Sequence, residues 1–247
     1  MISPLFTTIV IVAGFIFVFM KITSEKPGDG IRSFRERERR ADSTLKQPLD
    51  NLPFIQVPLD SIPSPEPAIN EKCAALLAEL NILAGKKIVN LTGISNTDLK
   101  LTYGAPNLPI LTEYDQNFTS LCMNLHELGC EYKLTGHEDE AIATFNVAVN
   151  VGTDISGTYT TLAEMYAERG LYVEIQRLIS SAGNIRSLTR QSTISKLQQI
   201  LDEHTSSVIR LSDDSEDPAS SDDPGNILPA DILDILETVP YTQSDQK

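Results

Sequence analysis

The sequence predicts an all-α fold: a short stack of helical hairpins with a capping helix, preceded by an amino-terminal transmembrane helix and followed by an acidic disordered tail. Three observations predict it. Apolar residues recur three and four positions apart over long stretches, the spacing of one helix face. The chain has no Trp and only 6% aromatic residues, so its core must be built from Leu, Ile, Val and Ala, which suits packed helices better than a sandwich. A stretch in the second half also repeats itself after thirty-four residues.

Composition narrows the function before any motif does. The 247 residues leave room for one ordinary domain plus tails, or for two small ones. A net charge of -14 argues against nucleic acid as a partner, because a phosphate backbone is bound by neutralising it with Lys and Arg. Cys73, Cys122 and Cys130 are odd in number and widely spaced, which fits free thiols in a reducing compartment rather than a disulfide scaffold.

The first element, residues 1–22, reads as an anchor. Ile2 to Met20 is nineteen residues without a charge, and as a helix it would reach roughly 28 Å, close to the hydrocarbon thickness of a bilayer. No basic segment precedes it and no small-residue cleavage site follows, so a cleaved signal peptide fits less well. Lys21, Lys26, Arg32, Arg35, Arg37, Arg39 and Arg40 all follow the run, which places the carboxyl-terminal side in the cytoplasm.

Residues 23–46 are dominated by charge and read as a tether. The basic cluster within them could also be drawn to anionic lipid, an effect that Glu36 and Glu38 dilute. Residues 47–67 are rich in proline and favour extended chain. Large apolar side chains lie between those prolines, Leu49, Leu52, Phe54, Ile55, Val57, Leu59 and Ile62, and a pure linker has no use for them. Packing of 48–62 along the chain's own helical body is therefore expected.

A helical domain is expected over 68–204. Its first helix follows Pro67 and places Ile69, Cys73, Leu76, Leu77, Leu80 and Leu83 on one stripe. Residues 86–108 show mixed signals, with Gly93, Gly104 and Pro106 breaking any pattern. After Pro109 a long helix carries Ile110, Leu111, Tyr114, Phe118, Leu121, Cys122, Leu125, Leu128 and Tyr132 inward and stops near Gly136. A second follows at once, with Glu138, Asp139 and Glu140 at its positive end.

Shifted by thirty-four, Leu125 falls on Tyr159, Leu128 on Leu162, Gly129 on Ala163, Tyr132 on Tyr166, Gly136 on Gly170, Phe145 on Ile179 and Ala148 on Ala182. Large positions meet large ones and small meet small. With Ala141, the first set resembles the tetratricopeptide pattern, giving repeats at about 122–155 and 156–189, the second of them degenerate. Thr153 and Ser187 stand where that family often has Pro. A helix over 192–204, with Ile194, Leu197, Ile200 and Leu201 inward, suits the cap such stacks need.

The resemblance implies a partner-binding groove lined by the first helix of each pair: Met123, His126, Cys130 and Lys133, then Thr160, Glu164 and Ala167. His126 and Cys130 replace the Lys and Asn that grip a carboxylate in the family's best-known site, so that specificity is not implied. Residues 205–247 are acidic and polar and read as a disordered tail with a short amphipathic helix at 227–239.

No metal site is expected from Cys122, His126 and Cys130. Eight residues place the two thiols about 12 Å apart along a helix, whereas two thiolates on one zinc lie at most about 4.6 Å apart. "AGKKIV" at 84–89 lacks the earlier Gly of a phosphate loop. No nucleophile motif surrounds any His, so neither an enzyme nor a cofactor is expected. The leading expectation is a single-pass, membrane-tethered adaptor that takes a protein or peptide partner at a cytoplasmic groove. A structural subunit of a membrane assembly and an import receptor at an organelle surface are the alternatives.

Overall fold

The computed structural model describes residues 29–213. The anchor expected at 1–22 and the amphipathic run at 227–239 lie outside the described residues. Within them the fold is all-α, with no strand. Its helices are α1 Asp29–Ser43, α2 Glu71–Ala84, α3 Asn96–Tyr103, α4 Leu108–Leu134, α5 Glu138–Asn150, α6 Ser156–Glu168, α7 Tyr172–Ala182 and α8 Arg190–Asp213. No helix among the described residues is long and apolar enough to cross a membrane. The chain divides into two compact units, one of residues up to Asn51 with Ile94–Ile110, the other of Leu52–Gly93 with the chain from Leu111 onward. The helical domain expected over 68–204 is therefore interrupted, since 94–110 belongs with the amino-terminal residues.

In the first unit, residues 29–43 were expected as tether but form α1. Their partner, α3, lies within 86–108, where the sequence pattern is mixed. Ser95 caps α3: its Oγ accepts the Asp98 N–H at 3.2 Å and its hydroxyl donates to Asp98 Oδ2 at 2.6 Å. α1 packs on α3 with Ala41 and Leu99 buried. Charges sit around that contact: Arg37 pairs with Asp98, the Thr97 hydroxyl donates to Glu38, and Lys100 Nζ lies 2.7 Å from Asp42 and 3.5 Å from Glu38. These exposed pairs stabilise little, so burial and backbone bonds hold the unit. Buried Asn107 donates to the carbonyls of Gln47 and Tyr103, both at 2.7 Å.

In the second unit, the helix expected from Pro67 begins instead at Glu71, because Asn70 caps it by accepting the Cys73 N–H at 2.8 Å. α2 runs antiparallel to α4. Asn70 donates to Glu131 at 2.8 Å near one end, and Asn124 donates to Glu79 at 3.0 Å further along. The expected long helix is α4, with Pro109 in the first turn, where a missing N–H costs nothing.

α4 and α6 end alike. The His137 N–H returns to the Tyr132 carbonyl and the Leu171 N–H to the Tyr166 carbonyl, both at 2.9 Å, with Gly136 and Gly170 at φ +80° and +69° between them. These bonds satisfy carbonyls that the helix end would otherwise leave open, and only glycine takes that φ without strain. Two tight helical hairpins result, α4 with α5 and α6 with α7. α6 packs against α5, α7 and α8, and α8 also lies on α7.

The cap expected at 192–204 is longer, from Arg190 to Asp213, so residues 205–213 are helix rather than disordered tail. Thr193, Leu197 and Leu201 of α8 are buried, and a helix fixed by packing extends at little further cost.

The proline-rich residues 52–63 lack α-helix and carry one 3-10 turn, Leu59–Ser61, which contacts α2 and α5. Leu52 and Ile62 are buried, and Ile55, Val57 and Leu59 pack against the core. The Ile55 N–H donates to the Ile88 carbonyl at 2.9 Å, and the Tyr132 hydroxyl to the Pro63 carbonyl at 2.6 Å. Phe54 meets Tyr114 edge-on, with ring centroids 5.7 Å apart. Residues 48–51 belong to the first unit.

Candidate interaction face

The residues expected at helix crossings form the core of the second unit. Leu125, Leu128, Tyr132, Ala141, Phe145, Ala148, Leu162, Ala163 and Ala182 are fully buried, Tyr159 and Tyr166 nearly so, and Ile179 packs against the cluster while partly exposed. Gly129 sits directly under the Phe145 ring, where a Cβ would lie only 2.5 Å from Cε1. Ile175, thirty-four residues after Ala141, is also fully buried. Tyr132 and Tyr159 are pushed up to about 12, first by burial, so neither ionises near neutral pH.

Outside this core, α4 and α6 place the expected groove residues side by side. His126 Nδ1 lies 3.0 Å from the Thr158 hydroxyl, and its ring edge is close enough to Gly157 that a Cβ there would be 3.1 Å from Cε1. Lys133 Nζ reaches Glu164 at 3.8 Å. His126 Nε2 and Cys130 Sγ are 3.7 Å apart on successive turns of α4. Burial lowers the His126 pKa, against a smaller opposing effect of Glu127, so the ring is neutral at pH 7.

The face is a mixed one. Met123 is 50% exposed, Glu164 is exposed, and His126, Cys130, Lys133 and Thr160 are intermediate. Ala167 departs from the expectation: it is 4% exposed and offers no surface to a ligand. α6 is packed against α5, α7 and α8, and Ala167 belongs to the core they share.

Two clefts, neither legible in the sequence, flank the turn after α5. One, of about 290 Å³, is lined by Asn150, Thr153, Tyr159, Ser181 and Asn184 among others; the second, of similar volume, by Pro53, Ile55, Asn90, Asp154 and Arg186. Both are at the small end for organic ligands. Pro53, Asn90, Asn150 and Asn184, far apart in sequence, line these clefts, and no spacing rule points to them. Among the described residues no group of three or more His, Cys, Asp or Glu is placed to hold a metal ion.

The three thiols differ sharply in access. Cys73 is 0% exposed and Cys122 2%, while Cys130 is half-buried at the face. Burial pushes the Cys122 thiol up to about 12, so it stays protonated at pH 8. Maleimide is therefore expected to label the folded chain at Cys130 first, with Cys73 and Cys122 reacting only as it unfolds. Peptide mass mapping across a labelling time course checks this, and Cys122 reacting as fast as Cys130 would contradict the burial.

No protein-family model, curated protein or solved structure matches the chain.

Proposed function

We propose that the chain is a membrane-tethered adaptor whose α4 and α6 form a tetratricopeptide-like groove for a helix or extended peptide of a partner protein. In this reading residues 2–20 are the anchor and the helical units lie in the cytoplasm. The observation that carries it is the pairing of hairpins: first helices α4 and α6 are neighbours, joined across the face by His126 with Thr158 and by Lys133 with Glu164. Half-exposed Met123 gives the face an apolar anchor point amid polar neighbours, the mixture typical of recognition surfaces.

Capture of partners from detergent extracts by the full-length chain tests the groove. The double variant Met123→Glu with Thr160→Arg changes two side chains of the face, giving up only the Thr160 hydroxyl's bonds to carbonyls of its own helix. It is expected to weaken capture at least about tenfold with little change in melting. Equal capture by the native chain and the variant would refute a role for this face.

A further inference from the structure

Read along the chain, Arg32 to Arg40 mixes five arginines with two glutamates, and the acids dilute any basic surface. The fold separates them. Glu38 and Asp42 are turned to Lys100 of α3, Glu38 also accepts from Thr97, and Arg37 is paired with Asp98. Arg32, Arg35, Arg39 and Arg40 are exposed and make no ion pair among the described residues, leaving Glu36 as the acid among them. On the same helix Ile31 and Phe34 are three apart, hence neighbours on its surface, and are 57% and 61% exposed. By helical spacing Ile31 and Phe34 lie on the row of Glu38, Ala41 and Asp42 but ahead of the α3 contact, with Arg32, Arg35 and Arg39 along one side of that row. Two exposed apolar side chains bordered by arginines are the composition of a helix that lies in a bilayer interface.

We propose that α1 rests on an anionic lipid surface, with Ile31 and Phe34 in the boundary between headgroups and acyl chains and Arg32, Arg35 and Arg39 on lipid phosphates and carboxylates. Charge complementarity selects this occupant. The overall charge of -14 opposes RNA and an anionic bilayer alike, so the attraction is local to this helix. The exposed Ile31 and Phe34 decide for the bilayer, because only it offers them an apolar phase. The proposal rests on the anchor reading only for the supply of that surface. Eight residues separate Met20 from Asp29, and fully extended they span no more than about 30 Å.

The experiment uses the absence of Trp from the chain. In the full-length protein Phe34→Trp introduces a single indole emitter at an exposed position that the fold does not need. The protein is reconstituted with vesicles of phosphatidylcholine alone or with phosphatidylserine, each made with or without brominated acyl chains. With phosphatidylserine the emission should shift to the blue and be quenched at least about twofold by bromolipid, and both effects should vanish at about 0.5 M NaCl, where the Debye length falls to about 4 Å. Adding Arg32→Glu, Arg35→Glu and Arg39→Glu should remove both effects, with circular dichroism unchanged.

Water-exposed emission without quenching in phosphatidylserine vesicles would overturn the proposal. So would quenching that ignores salt and the charge reversals, or a response to an RNA oligonucleotide but not to vesicles. Flotation with pure phosphatidylcholine vesicles at high salt reads the anchor separately. A chain that fails to float there but shows phosphatidylserine-dependent quenching would sink the anchor reading and support the proposal for α1.

Discussion

Replacing Gly104 by Ala is expected to abolish the folded first unit, at a cost of about 4 to 6 kcal/mol. Gly104 has φ +90° and ψ 140°, a conformation close to glycine-only and costing other residues about 1 to 3 kcal/mol. Space makes it worse. A Cβ there would lie 2.2 Å from the Leu45 carbonyl oxygen, 2.7 Å from its carbon and 2.9 Å from Lys46 Cα. These are backbone atoms that cannot rotate away, so the segment after α1 must leave the end of α3. Three bonds go with it: Gln47 N–H to the Tyr103 carbonyl at 3.0 Å, Ala105 N–H to the Thr44 carbonyl at 3.2 Å, and Asn107 to the Gln47 carbonyl. At about 1 kcal/mol each they complete the expected loss. Hydrogen exchange measures it. The amides of Gln47 and Ala105 should exchange at the rate of open chain in Gly104→Ala while those of α5 and α6 stay protected. Native protection at Gln47 and Ala105 would show that the turn absorbs a side chain.

Gly129→Leu is expected to lower the melting temperature by about 6 to 12 °C, at 2 to 4 °C per kcal/mol for a chain of this size and a loss of about 3 kcal/mol. Already Ala would place its methyl 2.5 to 2.8 Å from three carbons of the Phe145 ring, and Phe145 is 0% exposed with nowhere to turn. Helix propensity acts the other way, favouring Ala over Gly by about 1 kcal/mol, which is less than the cost of overlap. Gly129→Ala should therefore destabilise by about 1 to 2 kcal/mol net, and Gly129→Ala with Phe145→Leu should recover most of that. The chain itself holds the compensated pair. Thirty-four residues on, Ala163 takes the place of Gly129 and Ile179 that of Phe145, a larger small residue opposite a smaller large one. Thermal melts of the three variants decide the matter, and an unchanged midpoint for Gly129→Leu would remove the physical basis of the repeat alignment.

The second unit's helices were legible because their instructions are local. Leu125, Leu128, Tyr132 and their partners recur at the helical period, Gly136 and Gly170 mark the stops, and all are read within a few residues of where they act. The first unit was not legible for the opposite reason. α3 has eight residues with one buried apolar side chain, and its clearest sign was a capping pair, Ser95 with Asp98, inside a segment broken by glycines. α1 has too few apolar residues to announce a core face, and its Arg37 and Asp42 find their partners, Asp98 and Lys100, 61 and 58 residues away.

The sequence by itself determined that the described chain is helical, which residues turn inward on the hairpins and where those hairpins turn, because periodicity and capping act over one or two turns of chain. Only the tertiary structure decided which surface covers Ile55, Val57 and Leu59, that Ala167 lies in the core, and that Glu38 and Asp42 of α1 face α3 while Arg32, Arg35, Arg39 and Arg40 stay exposed. Each of those outcomes depends on which distant segment arrives as a neighbour. Burial and charge pairing respond to that neighbour and not to the local spacing of residues.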